Sequence, residues 1–189
     1  MKHSKSVQHL QSIHIQDEYG TPRDLFEKIC QKYNIYPQID ICASDTNHVV
    51  DNYITKEQNC LNYDITKDFF MNPPYSKISM FMEFAYNQHI KNNVSCIILT
   101  YSKTGTKWWH QFVQDKADHI EFQKGRINFL NENGNQTKNP APYDSAWIIF
   151  KKKLNEKFDF KTKQVKTRTI TQIREHDRKT KNRKTDESA

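Results

Sequence analysis

Apolar residues recur along this chain in two rhythms. Leu25, Phe26, Ile29 and Cys30 fall three and four apart, which predicts a helix over residues 22–33 with one buried face. Ile78, Phe81, Met82, Phe84, Ala85 and Ile90 repeat the spacing and predict a second helix over 77–91, with Met80 and Met82 as ordinary core filler. Other stretches are unbroken. Residues 94–100 form a continuous apolar run, the mark of a strand buried on both faces, and 146–150 form another. Shorter strands are predicted at 36–44, 68–71 and 118–123, with Gly125 as a turn and 126–130 as a further extended piece. A third helix is predicted over 106–116; its adjacent Trp108 and Trp109 cannot share a face, so one is expected inside and one at a rim. Residues 47–59 are polar and turn-rich, anchored by Tyr53 and Ile54, and 131–139 hold no apolar residue and read as a mobile loop. Strand and helix alternate first, and strands alone follow. That succession predicts an α/β fold with a mostly parallel sheet and an antiparallel hairpin at one edge.

Composition narrows the class. With 189 residues, 35% hydrophobic, and a mean hydropathy of -0.93, one compact core and a very polar surface or tail are expected. No run of eighteen apolar residues and no apolar stretch behind the N-terminal Met-Lys-His-Ser-Lys occurs, so neither a membrane span nor a signal peptide is expected, and a cytoplasmic protein is. Cys30, Cys42, Cys60 and Cys96 are scattered without a C-x-x-C pair, which favours buried free thiols over a metal site or a disulfide framework. The net charge of +7 is uneven: residues 151–189 hold 14 Lys and Arg against 6 Asp and Glu, whereas the first 150 hold 15 against 16. The excess lies in the tail. The expected organisation is a flexible arm at 1–16, a folded domain at 17–152 and a basic tail at 153–189, with a short helix near 169–178. Such a tail is either a solvated extension or an anchor for phosphate.

The chemistry concentrates where the strand at 68–71 stops at Asn72-Pro73-Pro74-Tyr75. Two prolines hold fixed φ angles and offer no N–H, so the chain leaves the sheet as a rigid turn. The Asn72 side-chain oxygen and the carbonyl of Asn72 or Pro73 are then expected to face outward as acceptors beside the flat Tyr75 ring. Paired acceptors next to an aromatic face suit a planar molecule with an exocyclic amine, such as a base. Asn-Pro and Pro-Pro are also ordinary turn dipeptides. Position favours the functional reading, because loops at carboxyl ends of sheet strands are where α/β proteins bind ligands. The reading requires Tyr75 to be accessible and Asn72 to face a cleft.

Three further positions carry two readings each. Thr21 before Pro22 is either a helix N-cap or a hydroxyl beside free helix-start amides that attract a carboxylate. Asp40, in the strand before Cys42-Ala43-Ser44, is either a strand-end cap or a partner for an ammonium group. Asp64 either begins a turn or lies beside the Asn72 turn and accepts from the amino group of a bound adenine. The glycine-rich nucleotide loop is absent, since Gly20, Gly105, Gly125 and Gly134 all lie elsewhere.

Five segments together resemble a known family, the phage-type DNA N-6-adenine methyltransferases, small Dam-like enzymes of viruses and prophages. They are Asp17-Glu18-Tyr19-Gly20-Thr21-Pro22, Asp40-Ile41-Cys42-Ala43-Ser44, the Asn72 to Tyr75 turn, Gly125-Arg126-Ile127-Asn128-Phe129, and Ala141-Pro142-Tyr143-Asp144-Ser145-Ala146. The resemblance spans about residues 17–150 and leaves the tail out. It implies a Rossmann-like methyltransferase sheet with helices on both faces, S-adenosylmethionine as cofactor, no metal, DNA as partner, and the interior of a host cell as location. It implies that Asn72, Pro73, Pro74 and Tyr75 are catalytic. Thr21 and Pro22 are expected to flank the cofactor's methionine, Asp40, Cys42 and Ala43 its amino and carboxyl groups, and Asp64 its adenine; Asp45 is a weak candidate for the ribose. A planar NH2 on an RNA base or a protein glutamine suits the same turn, and a module that binds without turnover is a further alternative.

Overall fold

A computed structural model describes residues 19–131 and 133–153. The predicted N-terminal arm, all but the first residue of the tail and the helix near 169–178 lie outside the described residues.

Among the described residues, three α-helices and six strands follow one another as α1 (Arg23–Tyr33), β1 (Ile39–Ala43), β2 (Tyr53–Thr55), β3 (Phe69–Met71), α2 (Ile78–Asn92), β4 (Cys96–Tyr101), α3 (Lys107–Phe112), β5 (His119–Phe122) and β6 (Ser145–Phe150). They form one sheet in the order β2-β1-β3-β4-β6-β5. β2, β1, β3 and β4 are parallel neighbours, and β6 runs antiparallel to both β4 and β5. The mixed α/β architecture with an antiparallel edge is the one expected.

The two faces of the sheet are covered by different helices. Phe26, Ile29 and Cys30 of α1 pack with Phe70, Ile97, Leu99, Trp147 and Ile149. On the other face, Phe81, Met82 and Ala85 of α2 and Trp108 and Trp109 of α3 pack with Phe69, Met71, Cys96, Ile98 and Phe150. Every residue of β4 and β6 is buried, because alternate side chains are claimed by opposite faces. Each large side chain so buried contributes about 1.5–3 kcal/mol.

Local outcomes differ from the periodicity in places. Both tryptophans of α3 are buried, at 6% and 1% exposure, and both join the core cluster on that face of the sheet, edge to face at 5.6 Å. The chain turns at Asp115, with φ 58°, which ends the predicted 106–116 helix early. β2 lies in the stretch read as turns: three residues, with Ile54 alone fully buried, leave too short a pattern to see. In the 131–139 loop, Asn131 Oδ1 accepts from the Asn133 and Asn135 amides, and Gln136 bridges Leu130.

β1 and β2 are parallel, yet only residues 44–52 join them. Parallel neighbours ordinarily need a crossover of about a dozen or more residues, usually a helix. Here side chains replace the helix. Asp40 Oδ2 accepts from the Val49 N–H at 3.2 Å and Oδ1 from the Cys42 N–H at 3.3 Å, while Asn47 Oδ1 accepts from the Ser44 N–H at 2.7 Å.

Candidate active site

Strand order locates the crevice. The chain steps from β1 outward to β2, then returns to the other side of β1 as β3, and ligands of open α/β sheets bind outside the carboxyl ends at such a switch point. The register of Ile39 with Phe69 and Asp40 with Phe70 carries Ala43-Ser44 and Asn72 to that same end.

Asn72 is held by three hydrogen bonds. Its Nδ2 donates to the Tyr19 carbonyl at 2.9 Å and to Thr21 Oγ1 at 3.2 Å. Because a carbonyl can only accept, the amide nitrogen must face Tyr19 and the oxygen must face the other way. That oxygen accepts the Tyr75 hydroxyl at 3.0 Å. The Pro74 carbonyl accepts from the Lys77 N–H at 3.1 Å, closing a short 3-10 turn over Tyr75–Lys77 from which α2 starts.

Thr21 is therefore not a helix cap. Pro22 occupies the N-cap position without a side-chain cap, and the buried Thr21 hydroxyl, 3% exposed, serves Asn72. The segment carrying it is fixed on both sides. Gly20 exchanges two main-chain hydrogen bonds with Leu130, at 2.9 and 2.8 Å, and Tyr19 stacks on Phe129 with centroids 5.1 Å apart. A Cβ on Gly20 would stand 3.1 Å from both Asn47 Cβ and Leu130 Cβ. The bare backbone thus lets three segments meet.

Tyr75 corrects the expectation of an open ring. It is 7% exposed, its face is stacked on Tyr101 at 3.9 Å and 21°, and Tyr101 meets the edge of Tyr143 at 5.1 Å. Burial raises its phenol well above the usual value, with Tyr101 and Tyr19 adding to the effect, so the hydroxyl stays protonated and donates. The outward acceptor expected at Asn72 is likewise taken, by Tyr75 itself. Nothing in the sequence pairs Tyr75 with Tyr101, since a whole helix and strand separate them.

Asp40 is corrected too. It is 2% exposed, and each carboxylate oxygen accepts a main-chain N–H, so it clips the β1–β2 crossover from inside instead of meeting an ammonium group. Burial drives its carboxyl up to about 7, against the pull of the Val49 and Cys42 amides and His48. Cys42 is half-buried with its Sγ 4.0 Å from Cys60 Sγ, and burial raises its thiol well above the usual value. Ala43 is buried at the end of β1. Asp45 is exposed and accepts the Tyr53 hydroxyl at 2.9 Å.

Asp64 lies at the wrong end of the sheet for an adenine contact. Its Oδ1 accepts from Asn92 Nδ2 at 2.8 Å and pairs with Lys91 Nζ at 2.9 Å, and these hold its carboxyl below the usual range, Asn92 foremost. Asn92 ends α2 just before β4 begins, so Asp64 sits at the amino edge, across the length of β3 from Asn72.

The structure thus brings Thr21, Pro22, Asn72, Pro73, Pro74 and Tyr75 to one corner, with Cys42 and Ala43 on the adjoining strand. It adds Asn47 and sets Tyr19, Tyr101 and Tyr143 around the same corner through contacts that depend on long-range packing. A side-chain amide is thus immobilised at a sheet switch point with its oxygen directed at a hydrogen-bond donor, a geometry that can accept an N–H of a planar amine. The chain belongs to the DNA N-6-adenine-methyltransferase (Dam) family, whose model matches residues 9–184. It is 34% identical over 123 residues to the DNA N-6-adenine-methyltransferase of Haemophilus phage HP1 (strain HP1c1), a match covering 64% of this chain and 71% of that protein. A second relative, the DNA N-6-adenine-methyltransferase of Escherichia phage T1, is 30% identical over 108 residues, covering 56% of this chain and 44% of that protein.

Proposed function

We propose that this protein transfers a methyl group from S-adenosylmethionine to the N6 amine of adenine in DNA, and that residues 17–152 are its methyltransferase domain. The observation that carries the reading is the Asn72 side chain, fixed by Tyr19 and Thr21 with its oxygen pointed at a hydroxyl donor. The Tyr75 O–H stands where an amine N–H would bind. Strand order supports a Rossmann-like sheet, because β2-β1-β3-β4 has its switch point between β1 and β3.

The groups around that crevice fit the donor. Ser44 and Asn47 offer a hydroxyl and an amide, Ala43 and Ser44 keep the end of β1 short-chained, and Asp45 is an exposed carboxylate suited to ribose hydroxyls. Thr21 and Pro22 would flank the methionine part and the main chain at Cys42 and Ala43 its charged ends. When bound, S-adenosylmethionine supplies an electrophilic sulfonium methyl.

What the chain supplies is position. The adenine N6 lone pair is delocalised into the ring, which makes the nitrogen a weak nucleophile. Asn72 Oδ1 accepts one N6 hydrogen after Tyr75 releases it, and the Pro73 carbonyl accepts the other. Holding both hydrogens draws the nitrogen toward tetrahedral geometry and fixes the direction of its lone pair. The surplus proton leaves to solvent once the nitrogen carries its new bond. In duplex DNA the base must first leave the stack at a cost of about a few kcal/mol.

The test is to incubate the full chain with methyl-labelled S-adenosylmethionine and, separately, unmethylated DNA, RNA and cell-extract protein. Label entering DNA at adenine, and lost with Asn72→Ala, is the expected result. Label entering only RNA or only protein overturns the substrate, and cofactor binding without transfer to anything overturns the activity.

A further inference from the structure

The first 150 residues are almost neutral in sequence, yet the fold sorts their charges. β3, β4 and β5 all run in one direction, β5 because it is antiparallel to the strand that is itself antiparallel to β4. Their carboxyl ends therefore share an edge with Asn72. The segments that follow, 72–82, 101–114 and the 123–144 loop that returns to β6, contain Lys77, Lys103, Lys107, Lys124, Arg126 and Lys138 against Glu132 and Asp144. Main-chain bonds confirm the closeness of these loops: Ser102 N donates to Asp144 O at 2.9 Å and Gln123 N to Ser145 O at 2.9 Å.

Two lysines on the opposite edge are paired with acids. Lys91 pairs with Asp64 at 2.9 Å and Lys152 with Asp68 at 3.0 Å. In these segments Arg126 pairs with Asp144 at 3.8 Å with both side chains more than half exposed, a pair of little energetic consequence. Lys103 Nζ lies 4.4 Å above the Tyr143 ring, which places its charge beside the Tyr75–Tyr101–Tyr143 cluster. Lys77 follows Tyr75 by two residues, and Lys107 opens α3.

We propose that this carboxyl edge is a phosphate-gripping surface, with Lys77, Lys103 and Lys107 contacting the DNA backbone around the extruded adenine and Lys124 and Arg126 extending the track. The inference rests on the reading of DNA as substrate and adds the residues that hold it. Loops in which cations outnumber acids attract a polyanion without reading its sequence, by releasing condensed counterions. Lys91 and Lys152 on the amino edge, already paired with Asp64 and Asp68, contribute nothing comparable.

The experiment uses the full chain and a fluorescent unmethylated duplex, titrated across about 50 to 300 mM salt, with methyl transfer to the same duplex measured alongside. Each phosphate contact contributes about 0.9 to the slope of log affinity against log salt, or about eightfold in affinity at 0.1 M salt. The triple variant Lys77→Gln, Lys103→Gln, Lys107→Gln is expected to flatten the slope by about 2.7 and weaken binding by about 500-fold at that salt. The paired control Lys28→Gln, Lys91→Gln is expected to keep the wild-type slope. A triple variant that keeps the wild-type slope while wild type methylates the duplex overturns the surface and leaves the activity standing. Equal losses in triple and control variants also overturn it, since net charge alone would then explain both. If wild type neither binds nor methylates the duplex, the substrate reading fails and the surface with it.

Discussion

Removing a single oxygen from Tyr75 separates two roles for its ring. In the free protein the Tyr75 hydroxyl satisfies Asn72 Oδ1 at 3.0 Å, so an incoming amine must displace it. A neutral hydrogen bond of this kind contributes about 1 kcal/mol net, and leaving its half-buried acceptor empty costs about as much. Tyr75→Phe keeps the stack on Tyr101 but removes the competitor. The free protein becomes less stable by about 1 kcal/mol, a fall in Tm of about 2–4 °C for a chain of this size. The amine complex is unaffected, so kcat/KM for DNA rises by about fivefold through a lower KM while kcat stays level, given tenfold per 1.36 kcal/mol. Steady-state kinetics on an unmethylated duplex, with a melting curve on the same preparation, reads both numbers. A tenfold fall in kcat would refute the reasoning, because the hydroxyl would then act in the transition state; unchanged kinetics would refute it too, because the hydroxyl would not be competing at all.

Other perturbations test the scaffold. Asp40, whose carboxyl burial raises from 3.8 to about 7, binds its proton more tightly when folded. Its contribution to stability is therefore fully present below about pH 4, falls as pH rises through 7, and is level above. Urea midpoints of wild type should be higher at about pH 5.5 than at pH 8, and Asp40→Asn should shrink the difference; a midpoint that climbs over this window contradicts the assignment. Gly20→Ala forces a Cβ to 3.1 Å from Asn47 and Leu130 and should cost about 1–3 kcal/mol in stability and lower kcat by shifting Thr21 away from Asn72, measured by denaturation and turnover. Burial pushes the Cys30 thiol up to about 12 and those of Cys42 and Cys96 well above their usual value. Alkylation at pH 8 should accordingly spare these three in the folded protein and reach them in denaturant, as mass spectrometry would show; rapid labelling of Cys96 without denaturant would contradict the packing.

The elements with continuous signals were the legible ones. β4 and β6 are apolar at nearly every position because both sheet faces claim them, and the double proline after β3 marks where that strand must stop. Asp64 was misplaced by neglecting strand length: an acid several residues ahead of β3 belongs to the amino edge, with the whole strand between it and Asn72. Asp40 deceived for a different reason. A carboxylate at a strand end looks the same whether it faces a ligand or two of its own amides, and only the short β1–β2 crossover decides. Thr21-Pro22 imitates a helix cap, but Asn72 is the group that uses the hydroxyl. Tyr75 was located in the right corner and given the wrong posture. An aromatic after two prolines can turn in or out, and the answer depends on Tyr101, at the end of the next strand. Its burial, at 7% exposure, fails the accessibility that the sequence reading required of this ring, so the methyl-transfer reading stands on the family match and the Asn72 amide.

The reversed course of β6 also sets a length scale for whatever follows it. That strand enters beside Tyr101 and leaves beside Cys96, so its six residues carry the chain about 20 Å away from Asn72. Anything downstream starts from the rear of the sheet. A C-terminal truncation series thus becomes a ruler: stubs of fewer than about six or seven extended residues fall short of the front edge, and affinity for DNA gained only beyond that length would betray a segment that doubles back.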